Sequence, residues 1–285
     1  MAVVTTGFFD GVHLGHRHVL ETVVSSARER GEEAVVVTFW PHPRTVLQQD
    51  ARDFRLLSSL EEKKALIEAV GIDRVEVIPF NRRFASLTAA EYLDLLQTRY
   101  GASLIVMGYD NRIGSDGKFA SDLDDNSFVI SSGAVGEVEK SPISSTRIRK
   151  ALEEGNIEAA NGMLGYEYGL HGVVVAGNKM GRTIGFPTAN IQLYEPLKLV
   201  PENGVYAVDV EVTGNLFKGM CNIGTRPTVG GTARTIETHI LDFNEDIYGL
   251  PLRIRFLRRI RDERKFPSLD ALRAQLEQDA LNCKK

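Results

Sequence analysis

Residues 7–16 read Gly-Phe-Phe-Asp-Gly-Val-His-Leu-Gly-His and follow a short apolar run at 2–6. His13 and His16 stand three apart, a spacing that puts both imidazoles on one face if the chain turns helically there. Gly11 and Gly15 remove side-chain bulk where a phosphate or a second backbone must approach. A helix opening at this point aims its unpaired N–H groups and the positive end of its dipole at the same spot. The chemistry predicted is polyphosphate binding. Two histidines beside a glycine turn would mean little by themselves. The complete string at a strand-to-helix corner carries the reading.

A second candidate site lies at 177–191, Gly-Asn-Lys-Met-Gly-Arg-Thr-Ile-Gly-Phe-Pro-Thr-Ala-Asn-Ile. Gly177, Gly181 and Gly185 with Lys179 and Arg182 make a cationic loop whose backbone N–H groups suit phosphates. Thr188 and Asn190 are two apart, so an extended chain points both the same way. They offer a partial oxygen shell for a hard cation such as Mg²⁺, which takes few protein ligands alongside phosphates and water. The alternative is a Gly-rich hairpin with a Pro-Thr bend. Glu237 sits in an apolar, β-rich run. A glutamate there is commonly an outward, solvated residue, but beside a phosphate loop it would accept the proton of an attacking hydroxyl.

The elements needed to position these groups follow from the pattern along the chain. Up to about residue 140, short β-rich runs (34–39, 75–78, 104–107) alternate with helical stretches (59–70, 88–100). Ser59 and Glu62 suit a capping box, and Gly71 a stop. Alternation of this kind predicts a parallel sheet with helices on both faces and ligands beyond the carboxyl ends of the strands. Residues 145–164 read as helical with a break at Gly155-Asn156. From about Gly169 the β-branched runs 172–175, 205–213, 220–223, 235–241 and 252–256 predict an antiparallel barrel, closed by a helix over 268–281 with Ser268 as its cap.

The chain of 285 residues suits two domains, each able to bury a core. A net charge of −4 argues against nucleic acid as a partner. Cys221 and Cys283 give neither metal spacing nor a disulfide framework. No apolar run reaches membrane-spanning length, and no basic leader precedes an apolar segment at the start. The expectation is a cytoplasmic protein, a monomer or weak homo-oligomer, that engages neither membrane nor nucleic acid.

The string at 7–16 resembles the HxGH signature of the nucleotidyltransferases. Residues 181–190, 223–228 (Ile-Gly-Thr-Arg-Pro-Thr), 237–243 (Glu-Thr-His-Ile-Leu-Asp-Phe) and 261–266 (Arg-Asp-Glu-Arg-Lys-Phe) look like the riboflavin kinase module. In this order, across nearly the whole chain, they resemble the prokaryotic bifunctional riboflavin kinase/FAD synthetase family.

The resemblance implies a Rossmann-like α/β FMN adenylyltransferase domain at 1–150, a linker helix at 151–165 and a β-barrel riboflavin kinase domain at 166–285. Its substrates would be riboflavin, FMN and ATP with Mg²⁺. Carried over residue by residue, His13 and His16 stabilise the reacting phosphates, while Gly7, Phe8, Asp10, Gly11 and Gly15 shape the ATP pocket. Ser144, Ser145, Thr146 and Arg147, of the Ile-Ser-Ser-Thr-Arg element, hold the triphosphate. Phe39, Pro41 and Pro43, of Thr-Phe-Trp-Pro-His-Pro, lie on the flavin side, with Asp110. In the barrel, Gly177, Lys179, Gly181, Arg182 and Gly185 cover ATP, Thr188 and Asn190 hold the metal, Glu237 is the base, and Arg264 and Phe266 lie by the flavin. One segment departs from the family pattern: at 108–114, Asn111 and Ile113 replace aromatic residues.

Overall fold

Val-rich runs at the front of the chain assemble into one sheet in a computed structural model that describes residues 1–48, 53–123, 129–132, 142–177, 180–228 and 231–284. The strands are β1 (Ala2–Thr6), β2 (Glu33–Trp40), β3 (Arg74–Pro79), β4 (Ala102–Met107) and β5 (Val129–Ser131). Their order is β3-β2-β1-β4-β5, and every pairing is parallel. Adjacent residues of β1 serve opposite faces. Val3 joins a core with Leu20 and Val23 of α1 (Leu14–Arg30) and Ile67 of α3 (Leu60–Glu68). Val4 joins another with Leu93 and Leu96 of α5 (Ala89–Tyr100). Both faces are therefore covered, as a fully parallel sheet requires. The chain winds outward from β1 in both directions, so the carboxyl end of β1 opens at the point where strand order reverses, the usual crevice for a ligand.

Local rules set the helix ends. Ser59 and Glu62 form a reciprocal capping box at α3, and Thr88 with Glu91 repeats it at α5. Gly31 and Gly101 end α1 and α5 in the left-handed conformation. Two short helices, α2 (Pro43–Leu47) and α4 (Arg82–Ala85), and the short strand β5 were not anticipated from the pattern.

The chain divides into two compact units, Met1–Ser145 and Thr146–Lys285. In the second, β6 (Gly169–Val175), β7 (Ala189–Leu193), β8 (Gly204–Val212), β9 (Asn215–Thr228), β10 (Gly231–Ile240) and β11 (Pro251–Arg261) close into a barrel of order β10-β7-β6-β11-β8-β9. All six pairings are antiparallel. The 145–164 stretch is two helices, α6 (Ser145–Glu153) and α7 (Ile157–Leu164). They are parted by Gly155 at φ 74° and by Asn156, which caps α7. Asn161 of α7 reaches the barrel: its amide donates to the Phe256 carbonyl (2.9 Å) and accepts from the Tyr168 N–H (2.8 Å). A short α8 (Met180–Thr183) precedes β7. The terminal helix α9 (Leu269–Cys283), capped by Ser268, is tied to the end of β11 by Arg261, which meets the fully buried Asp279 at 2.8 Å.

Candidate active sites

At the carboxyl end of β1, His13 takes the N-cap position of α1 and its Nδ1 accepts the His16 N–H (3.3 Å). The two imidazoles stack with centroids 3.7 Å apart and planes 15° from parallel. Gly15 makes this possible, since a Cβ there would press on the His13 ring at 3.2 Å. The edge of Phe9 closes on His16 (5.2 Å). His16 Nδ1 is buried and, among the described residues, has no hydrogen-bond partner. Burial, then the neighbouring His13, then Lys63 hold the His16 pKa well below 6.5, so the ring is neutral at pH 7.

Gly7, Phe8, His13, Gly15, His16, Ser144 and Ser145 line one cavity of about 320 Å³ that also takes in Asp110 and Asn111. Asp10 and Gly11 serve the corner from behind. The Asp10 carboxylate accepts from the N–H groups of Leu57 and Ser58 (3.0 and 3.1 Å), and the Gly11 N–H donates to the Ser58 hydroxyl (3.0 Å). Ser145 donates to the Asp10 carbonyl (3.0 Å), which joins the second serine of the Ile-Ser-Ser-Thr-Arg element to the corner. Thr146 and Arg147 follow in the first turn of α6, beyond the lining residues. Phe39, Pro41 and Pro43 also stand outside that lining. Phe39 packs on Phe84 (5.3 Å), Pro41 follows a cis peptide bond, and Pro43 opens α2. Asn111 donates to the Thr6 carbonyl (3.0 Å) at the tip of β1, and Ile113 is buried in the α5-side core. Both departures from the aromatic pattern thus have defined packing.

In the barrel, register brings the second set together. Glu237 of β10 pairs with Asn190 of β7, and the Thr188 hydroxyl donates to the Glu237 carboxylate (3.3 Å). Gly177 lies against the Asn190 amide so closely that any Cβ would overlap it. Gly181 likewise abuts the Phe186 carbonyl, folding the loop back on itself. Arg182 and Thr188 share a cavity of about 440 Å³ with the 243–248 loop. Lys179 lies outside the described residues. Gly185 has a φ of 86°, which glycine adopts without strain. Arg264 and Phe266 lie on the segment after β11, the guanidinium 4.8 Å from the ring centre. Glu263 of that segment abuts Gly224, which pairs with Thr235 on the strand that carries Glu237.

The chain matches two family models, FAD synthetase over residues 1–150 and riboflavin kinase over 164–285. It is 40% identical to the bifunctional riboflavin kinase/FMN adenylyltransferase of Bacillus subtilis over 98% of this chain and 90% of that protein. The protein of the same name from Escherichia coli is 38% identical over 99% of this chain and 91% of its own. The chain belongs to the bifunctional riboflavin kinase/FMN adenylyltransferase family. A crystal structure described as a macrolide-efflux protein from Streptococcus pneumoniae superposes with a TM-score of 0.93 at 36% identity, covering 100% of this chain and 94% of that one. Among the described residues here, no helix is long and apolar enough to cross a membrane.

For a member of the riboflavin kinase/FMN adenylyltransferase family, several residues of the candidate sites escaped the sequence reading. The 243–248 loop was missed because it has no glycine pattern, and its two acidic residues, Glu245 and Asp246, are no signal for phosphate binding. His239, whose Nδ1–H donates to the Pro187 carbonyl (2.7 Å) just before Thr188, carries no signal outside the fold. Lys63 does carry one: it falls four residues before the buried Ile67, on the inward face of α3.

Proposed function

We propose that the chain converts riboflavin to FMN and then FMN to FAD, each step consuming ATP. The reading assigns adenylyl transfer to 1–150, the kinase to 166–285 and the connection to 151–165. The observation that carries it is the Thr188–Glu237 contact beside Asn190, in a chain that opens with two stacked histidines on a strand-to-helix corner.

In the kinase step, Glu237 takes the proton of the riboflavin 5′-hydroxyl as that oxygen attacks the γ-phosphate of ATP, the bond to the β–γ bridging oxygen breaks and ADP leaves. Gly177, Gly181, Arg182 and Gly185, with Lys179, cover the phosphates. Among the described residues, no group of three or more His, Cys, Asp or Glu is placed to hold a metal ion. The donors beside Glu237 are the hydroxyl of Thr188 and the amide of Asn190, a sparse oxygen set that fits Mg²⁺ arriving with phosphate ligands. Bound there, Mg²⁺ would offset phosphate charge. Arg264 and Phe266 border the flavin.

In the adenylyl step, the FMN phosphate attacks the α-phosphate of ATP and pyrophosphate leaves. The nucleophile is already ionised, so the site supplies positioning and charge stabilisation rather than a strong base. His13 and His16 stabilise the reacting phosphates, and Ser144, Ser145, Thr146 and Arg147 hold the triphosphate. Gly7, Phe8, Asp10, Gly11 and Gly15 shape its seat, and Phe39, Pro41, Pro43 and Asp110 face the flavin. The reading includes a cytoplasmic chain, monomeric or weakly self-associating, without nucleic acid or membrane as partner.

Incubation of the purified protein with riboflavin, ATP and Mg²⁺, followed by chromatography of the flavins, tests the proposal. FAD is the expected product. FMN alone, with no FAD even from added FMN, would remove the adenylyl half. No conversion would overturn both.

A further inference from the structure

Lys63 is fully buried behind the HxGH corner. Its Nζ donates to the Phe8 carbonyl (3.0 Å), the Thr38 hydroxyl (3.0 Å) and the Phe39 carbonyl (3.3 Å). It also lies 3.7 Å from the centre of the Phe8 ring, within cation–π range. The Thr38 hydroxyl spends its own proton on the same Phe8 carbonyl (3.1 Å), so toward Lys63 it accepts. Three acceptors thus converge on one nitrogen. An ammonium has three N–H bonds for them. A neutral amine has two, and turns a lone pair on the third. One side chain on α3 thereby ties the end of β2 to the residue that follows Gly7 in the cavity wall.

We propose that Lys63 is a positioning residue of the adenylyl-transfer corner, that its ammonium is the working form, and that a polyphosphate entering the cavity stabilises that form. The inference rests on the reading of this unit as the adenylyl-transfer site.

Burial opposes the charge and brings the Lys63 pKa down from 10.5 to about 7, with Asp10 the opposing influence. Among the described residues, the other titratable groups around it are His16, whose protonation the Lys63 charge disfavours, His13 stacked on His16, and His42, whose ring meets that of Phe8 at 4.1 Å. The three-acceptor geometry asks for the proton while burial asks for its loss. The added negative charge of a triphosphate tips the balance toward the ammonium.

The test is the pH dependence of FAD formation from FMN by the whole chain, with riboflavin phosphorylation in the same preparations as the check on folding. Wild-type kcat/KM for ATP should fall as pH rises through about 7, and the same limb in kcat should lie at higher pH, because bound ATP favours the ammonium. Lys63→Met should lower kcat/KM at least tenfold, in line with the roughly hundredfold cost of small misplacements, and abolish the limb without changing the kinase. Lys63→Arg, charged at every pH, should also abolish the limb. Thr38→Val removes one acceptor and should move the limb to lower pH. A limb unchanged in Lys63→Arg and Thr38→Val, or a Lys63→Met chain with wild-type kcat/KM, would overturn the inference. Wild-type protein that makes no FAD at any pH would instead remove the reading on which it rests.

Discussion

The backbone of Gly177 rests directly on the side-chain amide of Asn190, across the β6–β7 hairpin. A methyl group at 177 has nowhere to go except into that amide. Asn190 is paired in register with Glu237, so the displacement would reach the proposed base. Gly177→Ala should therefore cut riboflavin phosphorylation by about tenfold or more, as small misplacements in a reacting site do, and leave FAD formation from FMN unaltered. Separate assays of the two reactions on one preparation check this.

Glu237→Gln keeps the size of the side chain and its contact with Thr188 but removes the acceptor for a proton. General-base removal costs on the order of 10²–10⁴ in rate. FMN formation should fall by that much while adenylylation of supplied FMN continues. Equal loss of both activities would contradict the assignment of the base to the barrel.

His16 is neutral in the folded protein because burial and the nearby charges depress its pKa well below 6.5. The unfolded chain takes up that proton near 6.5, so between 6.5 and the depressed folded value it binds more protons than the native state. The contribution to stability is complete above 6.5 and shrinks as the pH falls. Urea unfolding of the N-terminal unit should show this acid slope, and His16→Gln should flatten it. The same variant should lower FAD formation by about 10²–10³, the usual cost of losing a charge-stabilising donor, with the kinase intact.

Asp279 is fully buried against Arg261 (2.8 Å) and also accepts from Gln275 (2.6 Å). Asp279→Ala leaves the guanidinium without its buried partner, a change that costs roughly 3–5 kcal/mol. The C-terminal unit should lose that much in denaturant unfolding, with α9 released first in hydrogen exchange. A loss below about 1 kcal/mol would mean that the pair is solvated like a surface bridge.

Much of the architecture was legible in the chain because the signals are short-ranged. The Ser59–Glu62 box, the Gly155-Asn156 break and the Ser268 cap each act within a few residues, and each stands where the pattern put it. In the sequence β7 shows only as an extended ligand stretch, because Ala189–Leu193 is short and mixed in polarity. Its strand character comes from pairing with β6 and β10.

The sequence by itself determined the proposed phosphate corner, since the glycines, the histidine spacing and the helix start that define it are neighbours in the chain. The tertiary structure decided which groups stand around that corner and around Glu237. Lys63 reaches Phe8 across 55 residues, and Thr188 reaches Glu237 across 49. Contacts of that span depend on how a helix docks and how strands register. Those are set by the packing of whole faces rather than by any local motif.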